Sequence, residues 1–287
     1  MCSPEVMARV RIAVSRRGFV GGAVGLGAAA LAGGFVRPHG VTAARQEGTP
    51  VVGTVSLPGF SQVVDLTHVV SPEFPMFPGT PPLEQTVAVT IAANGYYANM
   101  LTLNEHTGTH MDAPAHFSEG GDTAELIPVE RLFAPLAVVD ISARAAGDPD
   151  AQLMPDDILA WETANGPLPA GAFVAMHSGW ESRLSDPATF VNLDASGVQH
   201  YPGFHPETAA LLTTEREIVG IGVDTLSQDF GASTDFLTHV TILGAGKYGI
   251  ENVANLSQVP STGGYVVIGS PKHRAASGGP TRAFALY

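Results

Sequence analysis

The stretch HTGTHMDAPAHF, residues 106–117, holds three of the ten histidines in the 287-residue chain. An aspartate lies between the second and third of these histidines. Gly108 and Pro114 disfavour a long regular helix, because glycine loses the most conformational freedom in a helix and proline lacks a backbone N–H. The stretch therefore predicts a turn that gathers four side chains around one point: His106, His110, Asp112 and His116.

Two imidazoles and a carboxylate are typical ligands of divalent metal sites that leave positions open for water. The alternative is a turn whose polar residues hydrogen-bond among themselves. Ionisable groups this close desolvate and repel one another unless a cation compensates them, which favours the metal site. Zn²⁺ suits such ligands and Mn²⁺ tolerates them, so both ions stay open.

The remaining sequence indicates one α/β domain, because short runs rich in β-branched residues alternate with helical patterns. With 45% hydrophobic residues, the chain is long enough for a substantial core. We predict strands over residues 63–70, 84–92, 99–106, 136–142, 172–178, 217–224 and 264–270. We predict helices that begin near Met154 and His205, where Pro and acidic residues occupy the first turn.

The first 44 residues are typical of an export signal. SRRGFV at residues 15–20 meets the twin-arginine pattern at every position, and an uncharged Gly/Ala-rich run follows it. A transmembrane anchor is the alternative, but such a run is weakly hydrophobic and barely long enough to span a bilayer. We predict export through the twin-arginine route to the periplasm or outside the cell, a leader over 45–59 and a folded domain over 60–287.

The mature protein is expected to be strongly acidic. Residues 1–44 contain five of the 14 basic residues and one of the 27 acidic ones, so the remainder has a formal net charge of −17. This charge disfavours nucleic acid and anionic membranes as partners, and we expect a small-molecule substrate. Cys2, the single cysteine, leaves with the signal, so catalysis has to depend on nitrogen and oxygen groups.

The histidine-rich stretch resembles the His-x-Gly-Thr-His-x-Asp-x-Pro-x-His-Phe signature of the cyclase-like metal-dependent hydrolases, which include bacterial kynurenine formamidases and isatin hydrolases. The resemblance extends along the chain. Further segments that look like those of the family are MFPGTPP (76–82), GIGVDTLSQD (220–229), HVTILGAGKYGIENVANL (239–256) and SGGPTRAFAL (277–286).

The resemblance implies a single compact α/β domain with a barrel-like β core flanked by helices, of the swivelling β/β/α type, that forms homodimers or larger assemblies. It implies one or two divalent ions per chain. The first ion would bind His106, His110 and Asp112, and a second would bind Asp112, His239 and Glu251. His116 would be the acid/base group.

Together with the predicted export signal, this resemblance implies an exported hydrolase that opens a cyclic amide or lactone, or cleaves an N-acyl bond of the formamide type. A divalent ion can lower the pKa of bound water from about 15.7 to about 7, which supplies a nucleophile at neutral pH. A nucleophilic serine is disfavoured because the chain has no Gly-x-Ser-x-Gly. The alternative function is a periplasmic metal- or solute-binding protein that keeps the fold without turnover.

Several residues outside the motif are candidates for the substrate pocket. Phe74, Phe77 and Trp180 could accept an aromatic substrate, although aromatic residues are also common in cores. Asp224 and Asp229 lie at or after the end of a predicted strand, where loops gather functional groups, and Asp224 could orient either a ligand or a neighbouring backbone. Glu251 has an alternative of its own, as an N-terminal acid of a helix that faces solvent.

The twin-arginine pattern generates a first prediction. Replacement of both Arg16 and Arg17 by Lys should leave the protein in the cytoplasm, because the paired arginines are the feature by which this route recognises its substrates. Cell fractionation with immunoblotting measures the distribution. Unchanged export of the double variant would contradict the prediction.

Overall fold

The structure is a computed structural model that describes residues 52–57 and 59–287. The predicted export signal and residues 45–51 of the predicted leader lie outside the described residues. Within the described part, no helix is both long enough and apolar enough to cross a membrane.

The described strands are β1 (Val52–Leu57), β2 (Phe60–Asp65), β3 (Glu84–Val89), β4 (Ala98–Thr102), β5 (His110–Asp112), β6 (Phe133–Asp140), β7 (Gln152–Leu153), β8 (Ala172–His177), β9 (Gly203–Phe204), β10 (Ile218–Val223), β11 (Tyr248–Glu251), β12 (Gly264–Gly269), β13 (Gly278–Pro280) and β14 (Arg282–Leu286). The α-helices are α1 (Ile91–Asn94), α2 (Ser142–Ala145), α3 (Pro155–Asn165), α4 (Pro187–Val191), α5 (Pro206–Thr214) and α6 (Leu237–Gly244). Short 3₁₀ helices span Pro114–His116, Ala124–Leu126, Val129–Leu132, Trp180–Arg183 and Leu256–Gln258.

Ten of these strands form one mixed sheet in the order β1-β2-β14-β12-β6-β8-β10-β11-β5-β13. Strands β6, β8, β10 and β11 are parallel to their neighbours within this group. The remaining pairings in the sheet are antiparallel. Strands β3 and β4 form a separate antiparallel pair, and β7 pairs with β9.

The central strands are buried on both faces, as parallel strands in α/β folds usually are. Along β6, Ala137 and Val139 face a core that includes Ile158 of α3, Leu212 of α5 and Ile242 of α6. Three helices therefore cover this face of the sheet.

The opposite face is covered mainly by the sheet itself. Leu136 and Val138 of β6 belong to a core that also contains Val64 of β2, Met111 of β5 and Val266 of β12. Strands from distant positions in the order therefore share one core, which requires the sheet to curl. An isolated bridge between Thr67 and Val253 links the segments that follow β2 and β11.

The predicted α/β class is confirmed, and the described residues form one compact unit. The large curled sheet corresponds to the barrel-like core, with β1 and β13 at the ends of the described strand order. All seven predicted strands and both predicted helices have counterparts. Helix α6 and strand β11 were not predicted, because glycines interrupt the pattern from Gly244 to Gly249.

Close approach of neighbouring strands generates a stability prediction. A Cβ at Gly278 would lie 2.1 Å from the Met111 carbonyl oxygen, so Gly278→Ala should lower the free energy of unfolding by about 1–3 kcal/mol. Gly244→Ala is the matched control, because open space surrounds that position, and its free energy of unfolding should stay the same or rise by up to about 1 kcal/mol. Urea denaturation measures both, and equal destabilisation would contradict the prediction.

Candidate metal centre

Two of the motif side chains share a face of a short strand. His110 and Asp112 are two residues apart in β5, so both point to the same side, while Met111 points into the core. Glu251 of β11 pairs directly with His110. The sequence predicted a turn here, whereas residues 110–112 form a strand that pairs with β11 on one side and β13 on the other. A strand of three residues is too short to produce an alternating pattern in the sequence.

His106 approaches from the loop that precedes β5. Gly108 has a left-handed backbone (φ 67°), which turns the chain between this loop and the strand. The Nδ1 of His106 lies 2.7 Å from Asp112 Oδ1, and its Nε2 lies 3.1 Å from the Ser277 hydroxyl. The loop thus places a third side chain against the shared carboxylate.

His239 reaches the same carboxylate from helix α6. Its Nδ1 lies 2.5 Å from Asp229 Oδ2, an arrangement that fixes the orientation of the ring. The opposite ring nitrogen, Nε2, lies 3.4 Å from Asp112 Oδ2 and 3.1 Å from Glu251 Oε1. A helix, two strands and a loop therefore meet at Asp112.

The five predicted ligands form two overlapping groups. His106, His110 and Asp112 offer ligand atoms within 4.8 Å of one another, and so do Asp112, His239 and Glu251. Glu251 is buried at the end of β11, so the alternative of a solvent-facing acid at a helix start is wrong.

One buried atom tests whether this site fits a cation. The Nδ1 of His110 lies 2.9 Å from the Gly108 carbonyl oxygen, so it can donate there and leave Nε2 with a free lone pair. That Nε2 is buried without a hydrogen-bond partner, 3.3 Å from Asp112 Oδ1 and 3.4 Å from Glu251 Oε2. A divalent cation between these atoms would satisfy the nitrogen and both carboxylates.

The electrostatics of the cluster agree with this fit. Burial opposes charge on His110, but the Asp112 and Glu251 carboxylates outweigh it and raise the pKa of His110 to about 9. Burial and the nearby Asp112 raise the pKa of Glu251. Without a cation the cluster therefore retains protons, which a metal ion would displace on binding.

His116 lies beside the predicted metal ligands on the 3₁₀ helix that follows β5. Its ring stacks on His106, with centroids 3.9 Å apart, and lies 6.1 Å from the His239 ring. Burial lowers the pKa of His116 to about 4, and the surrounding imidazoles add to this effect against the attraction of Asp112. A neutral imidazole is therefore available next to the cluster at neutral pH.

A cavity of about 320 Å³ opens onto this centre. The lining combines the histidines with apolar side chains, and the Phe117 ring lies 4.6 Å from the His239 ring between centroids. Its lining residues are Pro75, Met76, Phe77, Thr80, Asn104, His106, Gly108, His110, His116, Phe117, Leu226, Ser227, Phe236, His239, Glu251 and Asn252. Phe236 and Asn252 have left-handed backbones (φ 52° and 53°), a conformation that costs energy in residues other than glycine and often marks functional sites.

Of the candidate pocket residues, the structure places only Phe77 among the lining side chains of this cavity. Phe74 is buried beside His68, and Trp180 packs in a separate core with Phe190 and Tyr201. Phe74 and Trp180 are therefore buried core residues, which is the alternative noted for aromatic residues.

Asp224 is fully buried and does not line the cavity. Its carboxylate accepts hydrogen bonds from the backbone N–H groups of Ser178, Gly179 and Trp180. It therefore holds the backbone at the start of a 3₁₀ helix, which is the alternative noted for it, and its assignment to the substrate pocket is wrong. The position of Asp224 at a strand end indicated a polar role, but the sequence did not show that its partners are the backbone N–H groups of residues 178–180.

Three further residues support the predicted ligands; Gln228 and Ser277 were not predicted, and Asp229 was noted only for its position after a strand. Gln228 and Asp229 contact the ligands Asp112 and His239, and Ser277 contacts His106. Their signal was present, since Gln228 and Asp229 end the segment GIGVDTLSQD and Ser277 begins SGGPTRAFAL. A single sequence does not show which polar residue of such a segment faces the site.

A buried site of imidazoles and carboxylates on a mixed α/β sheet defines a class of metal-dependent enzymes. Comparison with known proteins narrows this class. Residues 64–230 match the model of the Cyclase family, described as "Putative cyclase". The chain is 34% identical over 252 residues to an isatin hydrolase of Roseibium aggregatum, which covers 82% of this chain and 95% of that protein.

Two further matches agree. A kynurenine formamidase of Salinibacter ruber is 26% identical, over 77% of this chain and 95% of its own. The solved structure of isatin hydrolase A from Ralstonia solanacearum is 35% identical, has a TM-score of 0.74, and aligns over 78% of this chain and 91% of that one. The chain belongs to the Cyclase family, which confirms the resemblance and the expectation of a hydrolytic enzyme.

The cluster generates a metal-content prediction. His110→Ala should reduce bound divalent metal to below about a tenth of the wild-type content, because it removes the buried Nε2 donor from between two carboxylates. Elemental analysis of the purified protein measures this. His200→Ala, at a half-buried histidine paired with Asp150, is the matched control and should keep its metal. Wild-type metal content in the His110 variant would contradict the assignment.

Proposed function

We propose that the protein is a divalent-metal-dependent hydrolase that cleaves the C–N bond of a small aromatic amide, either a cyclic amide that it opens or an N-acyl arylamine of the formamide type. Lactones are the alternative substrates of the same chemistry. The observation that carries the proposal is the position of His116, beside the metal ligands and in the cavity wall. The relatives named isatin hydrolase and kynurenine formamidase support it.

The residues fit one or two ions, and the donor set suits Zn²⁺ or Mn²⁺. His106, His110 and Asp112 would hold one ion, and His239 and Glu251 with Asp112 would hold a second. A bound divalent ion supplies Lewis acidity, which polarises a carbonyl and makes a water molecule more acidic.

His116 performs the proton transfers in this proposal. A ring nitrogen of His116 takes a proton from the attacking water as its oxygen bonds to the carbonyl carbon. The same proton goes to the leaving nitrogen as the C–N bond breaks, which yields a carboxylic acid and an amine. In a cyclic amide both groups stay on one product.

The apolar part of the cavity lining favours an aromatic substrate. Phe77, Phe117 and Phe236 line it, and Phe117 lies 5.8 Å from Phe236 between ring centroids. Aromatic side chains bury large apolar area and favour offset or edge contacts with another ring. A flat aromatic amide would place its ring here and its carbonyl toward the histidines.

Substrate turnover tests this proposal. Metal-loaded protein should hydrolyse isatin faster than formanilide, and His116→Gln should lower kcat about 10²–10⁴-fold with unchanged metal content. Absorbance assays give the rates, and elemental analysis gives the metal. His273→Gln, at an exposed position, is the matched control and should behave as wild type.

Two outcomes would contradict the proposal. A metal-loaded protein that binds these compounds but turns over no isatin, formanilide or lactone would be the solute-binding alternative. Loss of metal in His116→Gln would make His116 a ligand instead of the acid/base group.

We further propose that the protein acts after export and as a homo-oligomer. The twin-arginine pattern supports export in a folded, metal-loaded state. The β3–β4 arm, residues 84–102, supports assembly, because it exposes apolar side chains that include Ile91 (69%), Tyr97 (57%) and Met100 (63%). A two-stranded hairpin is marginally stable alone, so a second copy packed on this arm would stabilise it.

Sedimentation velocity tests this assembly. The protein should sediment as a dimer or larger species, and Met100→Lys should shift it toward monomer because a charge would be buried at the interface. Leu126→Lys, at an exposed position (61%) outside the arm, is the matched control and should leave the assembly intact. A wild-type monomer at micromolar concentration would contradict the proposal.

A further inference from the structure

One fully buried side chain touches the metal centre without lining the cavity. Gln228 follows β10 and has no solvent exposure. Its side-chain Nε2 donates to Asp112 Oδ2 at 2.7 Å, and its backbone N–H donates to Glu251 Oε1 at 3.0 Å. One residue therefore holds both carboxylates, which come from two different strands.

The backbone of Gln228 is itself held in place. Its carbonyl oxygen accepts a hydrogen bond from the Phe204 backbone N–H at 2.8 Å. The next residue, Asp229, forms a parallel bridge with Phe204 and contacts the His239 ring. A displaced Gln228 would therefore disturb Asp112, Glu251 and the segment that orients His239.

The neighbouring strand leaves room for this side chain. Gly249 of β11 pairs with Asp112, and a Cβ at this glycine would lie 2.0 Å from Gln228 Nε2. Gly249 has an ordinary φ, so its lack of a side chain is required by space and not by backbone conformation. Gly249 and Gln228 thus act as one packing unit beside the Asp112 carboxylate.

A neutral donor suits this position better than a charged one. Asp112 and Glu251 are both buried and repel each other when ionised, and a hydrogen bond from an amide favours the ionised carboxylate without adding another charge. Second-layer partners of this kind usually change metal affinity 10–100-fold when they are removed.

We propose that Gln228 is a positioning residue that sets the metal affinity of the centre by holding the Asp112 and Glu251 carboxylates in their ligand orientation, and that Gly249 makes this contact possible. This inference rests on the metal-dependent function proposed above. Gln228 acts through the ligands and touches neither the cavity nor the substrate.

The test is a metal titration of the purified full chain without substrate. Zn²⁺ and Mn²⁺ are titrated separately against a chromophoric chelator, after the protein has been stripped of metal. Gln228→Met, which keeps the length and removes the donor, should raise the Kd for Zn²⁺ about 10–100-fold. Gly249→Ala should raise it similarly by pushing the amide away from Asp112.

The two changes should not add. Because both substitutions break the same contact, the Kd of the double variant for Zn²⁺ should be about equal to the higher of the two single-variant Kd values. Gln199→Met is the matched control, since Gln199 is also a buried glutamine and does not contact the ligands, and it should keep the wild-type Kd. Thermal midpoints of the metal-free proteins show whether each variant folds, and a positioning role requires a weaker Kd in folded protein.

A wild-type Kd in either single variant, or weakening that multiplies in the double variant, would overturn the inference. A wild-type protein that binds neither ion would overturn it together with the proposed function. If the wild type binds metal and the variants bind it more weakly, but no amide or lactone is hydrolysed, the inference stands and the proposed substrate class fails.

Discussion

The candidate metal centre depends on one buried carboxylate, Asp112, whose surroundings fit a divalent cation. Imidazoles from a loop, from its own strand and from helix α6 converge on its two oxygens, at distances of 2.7 to 3.4 Å. A charged group without such partners would be costly inside the domain. Glycines lie opposite Asp112 in both neighbouring strands, Gly249 on one side and Gly278 on the other. The two glycines allow the carboxylate, its supporting amide and a third strand to pack closely together.

The cavity adds selectivity to this polar centre. Its volume is about 320 Å³, and its lining combines histidines with phenylalanines that pack against them, Phe117 at 4.6 Å from His239 between ring centroids, which suits an aromatic molecule with a polar group. Phe236 is the N-cap of helix α6, has a left-handed backbone and lies three residues before His239. The start of helix α6 therefore positions both Phe236 of the cavity lining and the predicted ligand His239.

Much of the centre could be predicted from sequence because its ligands are concentrated in one motif. The spacing of His106, His110 and Asp112 implied a shared site before any fold was known. His239 and Glu251 came only from the family resemblance, since the helix and strand that carry them have weak patterns broken by glycine. Trp180 and Asp224 show the limit of this approach: an aromatic or acidic residue near a functional segment can equally serve a core or a backbone contact, and only its neighbours distinguish the two roles.

Anomalous diffraction from crystals of the metal-loaded protein, recorded on both sides of the metal absorption edge, tests the central claim most directly. The account predicts a peak about 2.0–2.2 Å from donor atoms of His106, His110 and Asp112, and a second peak near His239 and Glu251 if two ions bind. A protein that holds stoichiometric metal with no peak among these five side chains would contradict it.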